Sequence, residues 1–350
     1  NSVLRAFAHS ADPGRCREVY SFIRRNSIPV NSYTFPFVLK AAAAAAEDSK
    51  SLLREGASLH AQVEKLGFLS DVYVANSLLN LYAACEASMD RCRKVFDEMP
   101  LRDVVSWTTV ISGLNNASQF DEAVATLTQM RSAGVTPNRV TAVNVLAACA
   151  GNGDLQTGRW IHEQVRKNHW KLDTILGTSL VNMYGKCGGA AEASRIFEEM
   201  GDERNVYTWN AVIGAFALSE NGEEEEAIKY FTRMEAQGIQ PNETTLVSVL
   251  TSFLHSGRRR LHEARRIFSS LLDGKYGIAP TAKHYSCMID LLLRSDELDE
   301  ALELMEGGGT GTASMWGAVV SHCRAKGRPE MSEFAARKLV ELEPDNSSHY

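Results

Sequence analysis

Apolar residues recur along this chain at helical spacing, in pairs of short segments. In the segment 104–138, Val104, Trp107, Val110 and Leu114 lie three or four residues apart, so they share one face of a helix. A polar stretch then interrupts this face, and a second apolar series follows it. The pattern therefore predicts two consecutive helices joined by a short turn.

The second of these helices has a marked start and end. It follows the polar stretch 115–118, and Asp121 and Glu122 occupy its predicted first turn, where the helix dipole favours carboxylates. Gly134 then ends the helix, and Pro137 prevents its continuation. The apolar stripe between these signals consists of Ala123, Leu127 and Met130.

The same pattern is repeated along the whole chain. Trp107 and Trp209 are 102 residues apart, and Pro137 and Pro241 are 104 apart, which corresponds to three successive segments. The closing signals divide the chain into nine segments and a partial tenth: 1–31, 32–71, 72–103, 104–138, 139–173, 174–205, 206–242, 243–281, 282–312 and 313–350. One helix pair cannot bury its own apolar face, whereas stacked pairs can. The repetition therefore predicts an all-α fold, an α-solenoid with a concave groove.

Composition argues against several classes of protein. The chain has 350 residues, 44% hydrophobic and 23% charged, but no run of about 18 apolar residues, so we expect no membrane span. Its net charge of −6 argues against nucleic-acid binding that depends mainly on phosphate contacts. We interpret the arginines at 258–260 and 265–266 as a solvated helix end, and the glutamates at 223–226 as a solvated helix start.

Motifs for catalysis are equally scarce. The seven cysteines form no Cys-x-x-Cys and are interpreted as buried, reduced thiols. The nine histidines show no metal-ligand spacing, and neither His-Glu-x-x-His nor Gly-x-x-x-x-Gly-Lys-Ser/Thr occurs. We therefore predict no catalytic residues, no cofactor, no metal and no enzyme activity in this chain. The glycines at 307–309 are interpreted as a flexible joint.

The segments closely resemble the pentatricopeptide repeat family. Segment 104–138 contains Val-Val-Ser-Trp-Thr-Thr-Val-Ile-Ser-Gly, then Phe-Asp-Glu-Ala, then Gly-Val-Thr-Pro-Asn. The tetratricopeptide pattern does not fit. Three alternating kinds of segment resemble the plant P-L-S subclass: P at 104–138 and 206–242, L at 139–173, and S at 174–205. Residues from 313 onwards resemble the start of the C-terminal extension (E) motif. The resemblance implies a right-handed α-solenoid of stacked two-helix repeats.

In this family each repeat addresses one base of single-stranded RNA. The resemblance implies that two residues read it, the fifth residue of the repeat and its last, here called the closing residue. The P and S repeats supply short polar groups at both places: Asn1/Asn31, Asn76/Asp103, Thr108/Asn138, Thr178/Asn205 and Asn210/Asn242. The family code implies C or U, then U, A, A and C for these pairs.

The L repeats have an apolar fifth residue, Pro36, Val143 or Val247, and are expected to specify their bases weakly. The expected target, 5′ to 3′, is therefore C-N-U-A-N-A-C. Second residues such as Tyr73 and Val105 are candidates for stacking against the bases.

A purely structural interpretation is also open for each of these residues. Asn138, Asn205 and Asn242 could be turn formers near Gly or Pro, and Asn76 and Thr108 could cap helices. Five pairs in one register favour base recognition.

The P-L-S order with an E motif resembles site-recognition factors for C-to-U RNA editing in plant mitochondria or chloroplasts. The zinc deaminase of such systems needs His-x-Glu and Pro-Cys-x-x-Cys, and neither occurs here. The resemblance therefore implies deaminase-bearing or accessory editing proteins acting in trans, or a segment beyond Tyr350. Since the chain begins at what would be a fifth position and ends inside the E motif, we interpret it as part of a longer pattern.

Two alternative functions stay open at this point. The same RNA-binding solenoid could act in splicing, processing or stabilisation of an organellar transcript. A protein-binding helical scaffold is the other alternative, which the acidic net charge favours and the polar pairs in register do not.

Overall fold

A computed structural model describes residues 1–45, 48–85, 88–219, 224–307 and 311–342, apart from the side chains of 224 and 255–258. Within these ranges the regular structure is helical, with twenty α-helices, short 3-10 turns and no strand. Among the described helices, none has the length and apolar content needed to cross a membrane. The glycines 308 and 309 and Glu223, which carried interpretations above, lie outside the described residues.

The chain divides into two compact bodies, Asn1–Lys171 and Leu172–Tyr350. Helices α1 to α10 of the first body are Ser2–Ala8, Gly14–Arg25, Thr34–Ala45, Ser49–Lys65, Val72–Ala83, Met89–Glu98, Val104–Asn116, Phe120–Ser132, Arg139–Asn152 and Leu155–Lys167. Helices α11 to α20 of the second are Thr174–Lys186, Ala190–Glu199, Val206–Ala217, Glu224–Ala236, Glu243–Ser256, Leu261–Leu272, Ala282–Arg294, Leu298–Gly307, Ala313–Ala325 and Pro329–Leu342.

Within each body the helices stack as antiparallel pairs. In the first body α1, α3, α5, α7 and α9 contact one another in succession, and α2, α4, α6 and α8 each pack on a neighbouring odd-numbered helix. The second body repeats this arrangement from α11 to α20. The predicted two-helix segments are therefore present, whereas the boundaries of the nine repeats stay a prediction.

The two tryptophans that revealed the period occupy equivalent places in the core. Trp107 packs edge-to-face on Phe96 with ring centroids 4.7 Å apart, and Trp209 packs on Phe197 at 4.6 Å. All four rings are buried. Such pairs stabilise beyond their buried area, so the same aromatic contact joins segment 72–103 to 104–138 and segment 174–205 to 206–242.

The turn within 104–138 forms close to the predicted place. Helix α7 ends at Asn116, and Ser118 adopts a left-handed backbone with φ of 56°. Asp121 and Glu122 lie in the first turn of α8, and Gly134 follows that helix with φ of 75°. A left-handed residue after a helix is a common termination, and glycine adopts it without steric cost.

The cysteines behave as the composition indicated. In the described part of the chain they form no disulfide, and five of the seven are buried. Burial raises the pKa of Cys16 to about 11 and that of Cys92 to about 12. These thiols therefore stay protonated at neutral pH and serve as small apolar side chains.

Candidate nucleic-acid interface

The closing residues begin the first helix of the next repeat. Asp103 precedes α7, and its carboxylate accepts the main-chain N–H of Ser106 at 2.9 Å. The asparagines at the corresponding places accept the third N–H of their helices in the same way: Asn138 from Thr141, Asn205 from Thr208 and Asn242 from Thr245. Each of these four closing residues is therefore an N-cap, which satisfies a donor that has no partner within the helix.

The fifth residues have a different local role. Asn76 lies inside α5, Thr108 inside α7, Thr178 inside α11 and Asn210 inside α13. The interpretation of Asn76 and Thr108 as helix caps is therefore wrong, because the preceding closing residues Asp71 and Asp103 occupy the capping positions. Asn1 does precede α1, but its side chain makes no capping hydrogen bond.

Asparagine at the fifth position contacts the closing residue of its own repeat directly. Asn76 donates from Nδ2 to Oδ1 of Asp103 at 3.1 Å. Asn210 donates in the same way to Asn242 at 2.9 Å. The third pair, Asn1 and Asn31, is joined at 3.0 Å. Residues about thirty positions apart are thus brought side by side at the junction between two repeats.

A hydroxyl from the third residue of the next repeat completes each junction. Ser106 Oγ lies 2.7 Å from Oδ1 of Asn76 and 3.0 Å from Oδ1 of Asp103. Thr245 Oγ1 lies 2.5 Å from Oδ1 of Asn210 and 3.1 Å from Oδ1 of Asn242. We call these groups the bridging hydroxyls. They belong to Thr34, Ser106, Thr141, Thr208 and Thr245.

Threonine at the fifth position reaches its closing residue only through the bridging hydroxyl. The Thr108 and Thr141 hydroxyl oxygens are 2.7 Å apart, and Thr141 Oγ1 lies 3.0 Å from Oδ1 of Asn138. Thr178 and Thr208 are likewise 2.7 Å apart, and Thr208 lies 3.2 Å from Oδ1 of Asn205. All five predicted pairs are therefore connected, three directly and two through one hydroxyl.

A row of exposed apolar side chains accompanies these junctions. The second residue of six repeats is between 46% and 74% exposed: Tyr33, Tyr73, Val105, Val140, Ile175 and Tyr207. Large apolar side chains seldom face solvent at a regular register without a partner to bind. The sequence indicated this place for Tyr73 and Val105, and the structure adds the other four.

A cavity of about 500 Å³ combines these features in the second body. Ile175 and Tyr207 line it from the second positions of successive repeats. The polar groups of the junctions line it as well, namely Thr178, Asn205 and Asn210. Two apolar walls with hydrogen-bonding groups between them suit a flat, polar-edged molecule.

Two family models match the chain, one described as the PPR repeat family over residues 102–151 and one as pentatricopeptide repeat-containing protein over residues 179–306. A pentatricopeptide repeat-containing protein of Arabidopsis thaliana, named as mitochondrial, is 35% identical over 354 residues, which cover 100% of this chain and 73% of that protein. This chain belongs to the pentatricopeptide repeat family. The Arabidopsis protein CRR2, named as chloroplastic, is 34% identical over 355 residues, covering 100% of this chain and 52% of its own length.

The pentatricopeptide repeat fold is also seen in solved structures. The crystal structure of the pentatricopeptide repeat protein PPR10 in complex with an 18-nt psaJ RNA element matches 97% of this chain and 57% of that protein, with a TM-score of 0.73 and 16% identity. The predicted all-α fold of stacked two-helix repeats is thereby confirmed. The chain spans between about half and three quarters of the length of the relatives named here.

Charge at these pentatricopeptide repeats is local and mostly compensated. Burial alone would raise the pKa of Asp103, but hydrogen bonds from Ser106 and Asn76 outweigh it and hold that pKa below its ordinary value. Asp103 is therefore a carboxylate that can only accept hydrogen bonds. In the basic cluster, Arg265 forms an ion pair with Glu300, and Arg260 lies 3.6 Å from Glu263.

The bridging hydroxyls are the part of the junctions that sequence reasoning missed. A signal for them was present, because Ser or Thr stands three residues after each polar pair's closing residue, as in a capping box. That signal indicates the start of a helix. It does not indicate that the same hydroxyl contacts a residue of the preceding repeat.

Proposed function

We propose that this chain is a sequence-specific single-stranded RNA-binding protein of a plant organelle, which reads one base per repeat. The observation that carries the proposal is the connection of all five polar pairs at the repeat junctions, in one register. Each pair offers hydrogen-bonding atoms beside an exposed second residue. RNA recognition of this kind uses the edges of unpaired bases together with stacking on side chains.

The hydrogen-bond inventory supports uracil and cytosine at the asparagine pairs. Asn76 uses one N–H on Asp103 and keeps another, while Asp103 keeps its second carboxylate oxygen. A donor beside an acceptor complements uracil, whose N3–H donates between two carbonyl acceptors. Asn210 and Asn242 keep N–H donors on both side chains, because the Oδ1 of each is used inside the junction. Two donors complement N3 and O2 of cytosine.

The threonine pairs have the opposite arrangement. Thr108 Oγ1 donates to the main-chain oxygen of Val104 at 2.7 Å and accepts from Thr141, so it keeps its second lone pair as an acceptor. Asn138 uses Oδ1 on Thr141 and keeps its N–H donors. An acceptor beside a donor complements adenine, whose amino group donates and whose N1 accepts. At the second such pair Thr178 shares a hydrogen bond with Thr208, and Asn205 likewise uses Oδ1 on Thr208 and keeps its N–H donors.

The biological role we propose is site recognition for C-to-U editing, with no deaminase activity in this chain. The P-L-S order of the repeats and the E-motif resemblance from residue 313 support it. Deaminase-bearing or accessory editing proteins would then act in trans. The names of relatives as mitochondrial or chloroplastic support an organellar location.

Two experiments test the proposal at its two levels. Purified chain should bind a synthetic RNA containing C-N-U-A-N-A-C at least tenfold more tightly than a scrambled RNA of the same composition, the size of about one base's discrimination. Equal binding of the two RNAs would refute sequence-specific RNA recognition.

The second experiment tests the biological role. In plants lacking the protein, one unedited cytidine with intact splicing supports editing, whereas an unspliced or missing transcript with normal editing contradicts it.

A further inference from the structure

The bridging hydroxyls stand out because they contact both members of each polar pair. Resting on the proposed function, we propose that they are positioning residues for base recognition. Each one determines which atoms the fifth and closing residues present to the RNA, without touching the base itself. The junctions at Ser106 and Thr245 carry the inference in most detail.

At the Ser106 junction the orientation of the Asn76 side-chain amide is unambiguous. The Asp103 carboxylate can only accept, so Asn76 must face it with Nδ2. The Oδ1 of Asn76 then lies on the other side, where Ser106 Oγ donates to it at 2.7 Å. Asn76 is only 7% exposed, so this oxygen would have no water to replace the hydroxyl. Ser106 therefore satisfies Asn76 in the orientation that leaves one N–H for a base.

At Asn210 the hydroxyl holds an amide orientation that Asn242 sets. Asn242 is fixed first, because its Oδ1 accepts the main-chain N–H of Thr245 at 3.0 Å. Asn210 then donates from Nδ2 to that same oxygen, and Thr245 Oγ1 donates to the Oδ1 of Asn210. Without the hydroxyl, the buried Oδ1 of Asn210 would have no donor, and the amide that presents an N–H to the base would be held less firmly. Cytosine and a purine would then be discriminated less well.

Helix capping by itself does not require the hydroxyl. Asp71 caps α5 by accepting from the main-chain N–H groups of Tyr73 and Val74, and the third residue there is apolar. The fifth residue of that repeat is Pro36, which offers no group to orient. The pattern holds throughout these repeats: the apolar fifth residues Pro36, Val143 and Val247 are followed at the next third position by Val74, Leu176 and His284, none of which carries a hydroxyl.

The test compares single substitutions that remove one hydroxyl each. Three variants are used: Ser106→Ala, Thr208→Val and Thr245→Val. Each leaves the main-chain capping donor in place, so helix capping should survive. Because each removes a hydroxyl at a different junction, every variant is a matched control for the other two. Each variant and the unmodified chain are titrated with RNAs in which one base of C-N-U-A-N-A-C is changed at a time. We expect Ser106→Ala to lose discrimination at U, Thr208→Val at the second A, and Thr245→Val at the final C.

The expected loss is about three- to tenfold in the ratio of affinities for the favoured and disfavoured base, the size of one neutral hydrogen bond. Discrimination at the other bases should stay unchanged, and Thr245→Ser, which keeps the hydroxyl, should retain the preference for C. Unchanged discrimination at a variant's own base, or an equal loss at every base, would overturn the inference while leaving RNA recognition intact. An unmodified chain that prefers no base would instead overturn the proposed function and the inference together.

Discussion

Arg204 donates from Nε to the main-chain oxygen of Phe197 at 2.7 Å, and its guanidinium lies 4.5 Å from the centre of the Phe197 ring. A second nitrogen reaches the main-chain oxygen of Glu198 at 2.9 Å. Arg204 therefore satisfies two carbonyls at the end of α12 and immediately precedes the closing residue Asn205. Arg102 holds the equivalent place before Asp103, with Nε 2.8 Å from the main-chain oxygen of Phe96.

We expect Arg204→Met to lower the free energy of unfolding by about 1.5–3 kcal/mol, because two main-chain oxygens at the end of α12 lose a charged donor. Urea unfolding followed by circular dichroism measures the loss. Arg195→Met is the matched control, since Arg195 lies on α12 with its side chain 71% exposed. This substitution should change stability by less than about 0.5 kcal/mol. Equal stability of the two variants would show that Arg204 is dispensable for the end of α12.

Two helical glycines of the second body are expected to respond oppositely to alanine. A Cβ at Gly185 would lie 2.6 Å from the Cβ and 3.1 Å from the Cα of Ala215, so the contact between α11 and α13 would have to open. At Gly214 the nearest atom would be 3.8 Å away. Gly185→Ala should therefore cost about 1–3 kcal/mol through overpacking. Gly214→Ala should add up to about 1 kcal/mol through helix propensity.

The measurement for this pair is the shift of the thermal unfolding midpoint, in opposite directions for the two variants. A stabilising effect of Gly185→Ala would mean that α11 and α13 are farther apart than their contact indicates.

The helices of this chain could be predicted from local signals, and the junctions between them could not. Asp121, Glu122 and Gly134 identify the start and end of α8 from short-range chemistry alone. The contact of Ser106 with Asn76 depends on the approach of residues thirty positions apart, which no local pattern encodes. Tyr207 shows that a local pattern can also mislead. An apolar residue in a helical pattern predicts burial, yet Tyr207 is 66% exposed. Only a resemblance to a family of known function indicated a role for such residues.

Stability should fall in mild acid because of His284. This side chain is fully buried, its Nδ1 accepts the main-chain N–H of Thr281 at 3.1 Å, and burial lowers its pKa below the ordinary value of 6.5. Glu243 and Lys283 are the nearby charged groups, and the first opposes this shift while the second adds to it. The unfolded chain then binds a proton more readily than the folded one, so stability present above pH 6.5 is lost as the pH falls towards the lower folded pKa.

His284→Gln should reduce the difference in urea midpoint between pH 7.5 and pH 5.5, about one unit on either side of the ordinary histidine pKa. His60, whose pKa is also lowered by burial, stays in both proteins and contributes to the pH dependence that remains. An undiminished difference in the variant would exclude His284 as its source.

Tyr207 should contribute to RNA affinity without contributing to base choice. It is 66% exposed and lines the cavity beside Asn205 and Asn210, so its ring can stack on a base of any identity. We expect Tyr207→Ala to weaken binding of the C-N-U-A-N-A-C RNA by about 1–3 kcal/mol. Leu218→Ala is the matched control, because Leu218 is 59% exposed at the other end of α13. An equal effect of the two substitutions would argue against stacking at Tyr207.

Asp103→Asn should change the base that its repeat prefers. Asparagine caps a helix as well as aspartate does, so α7 and its contact with Ser106 should survive. The substitution replaces the outward acceptor of the carboxylate by N–H donors, and the pair with Asn76 becomes equivalent to the pair of Asn210 with Asn242. Binding titrations with RNAs that differ only at the third base should show the preference for U over C falling about tenfold, as expected for exchange of a hydrogen bond to a charged group.

Asp71→Asn is the control that separates base reading from capping. Asp71 caps α5 with the same chemistry, but the fifth residue of its repeat is Pro36, which has no donor to pair with an outward group. Its substitution should therefore preserve stability and leave the selectivity at the second base nearly unchanged. A change of selectivity at Asp71 as large as that at Asp103 would mean that the closing residue reads the base alone. The hydrogen bond between Asn76 and Asp103 would then have no part in the choice of uracil.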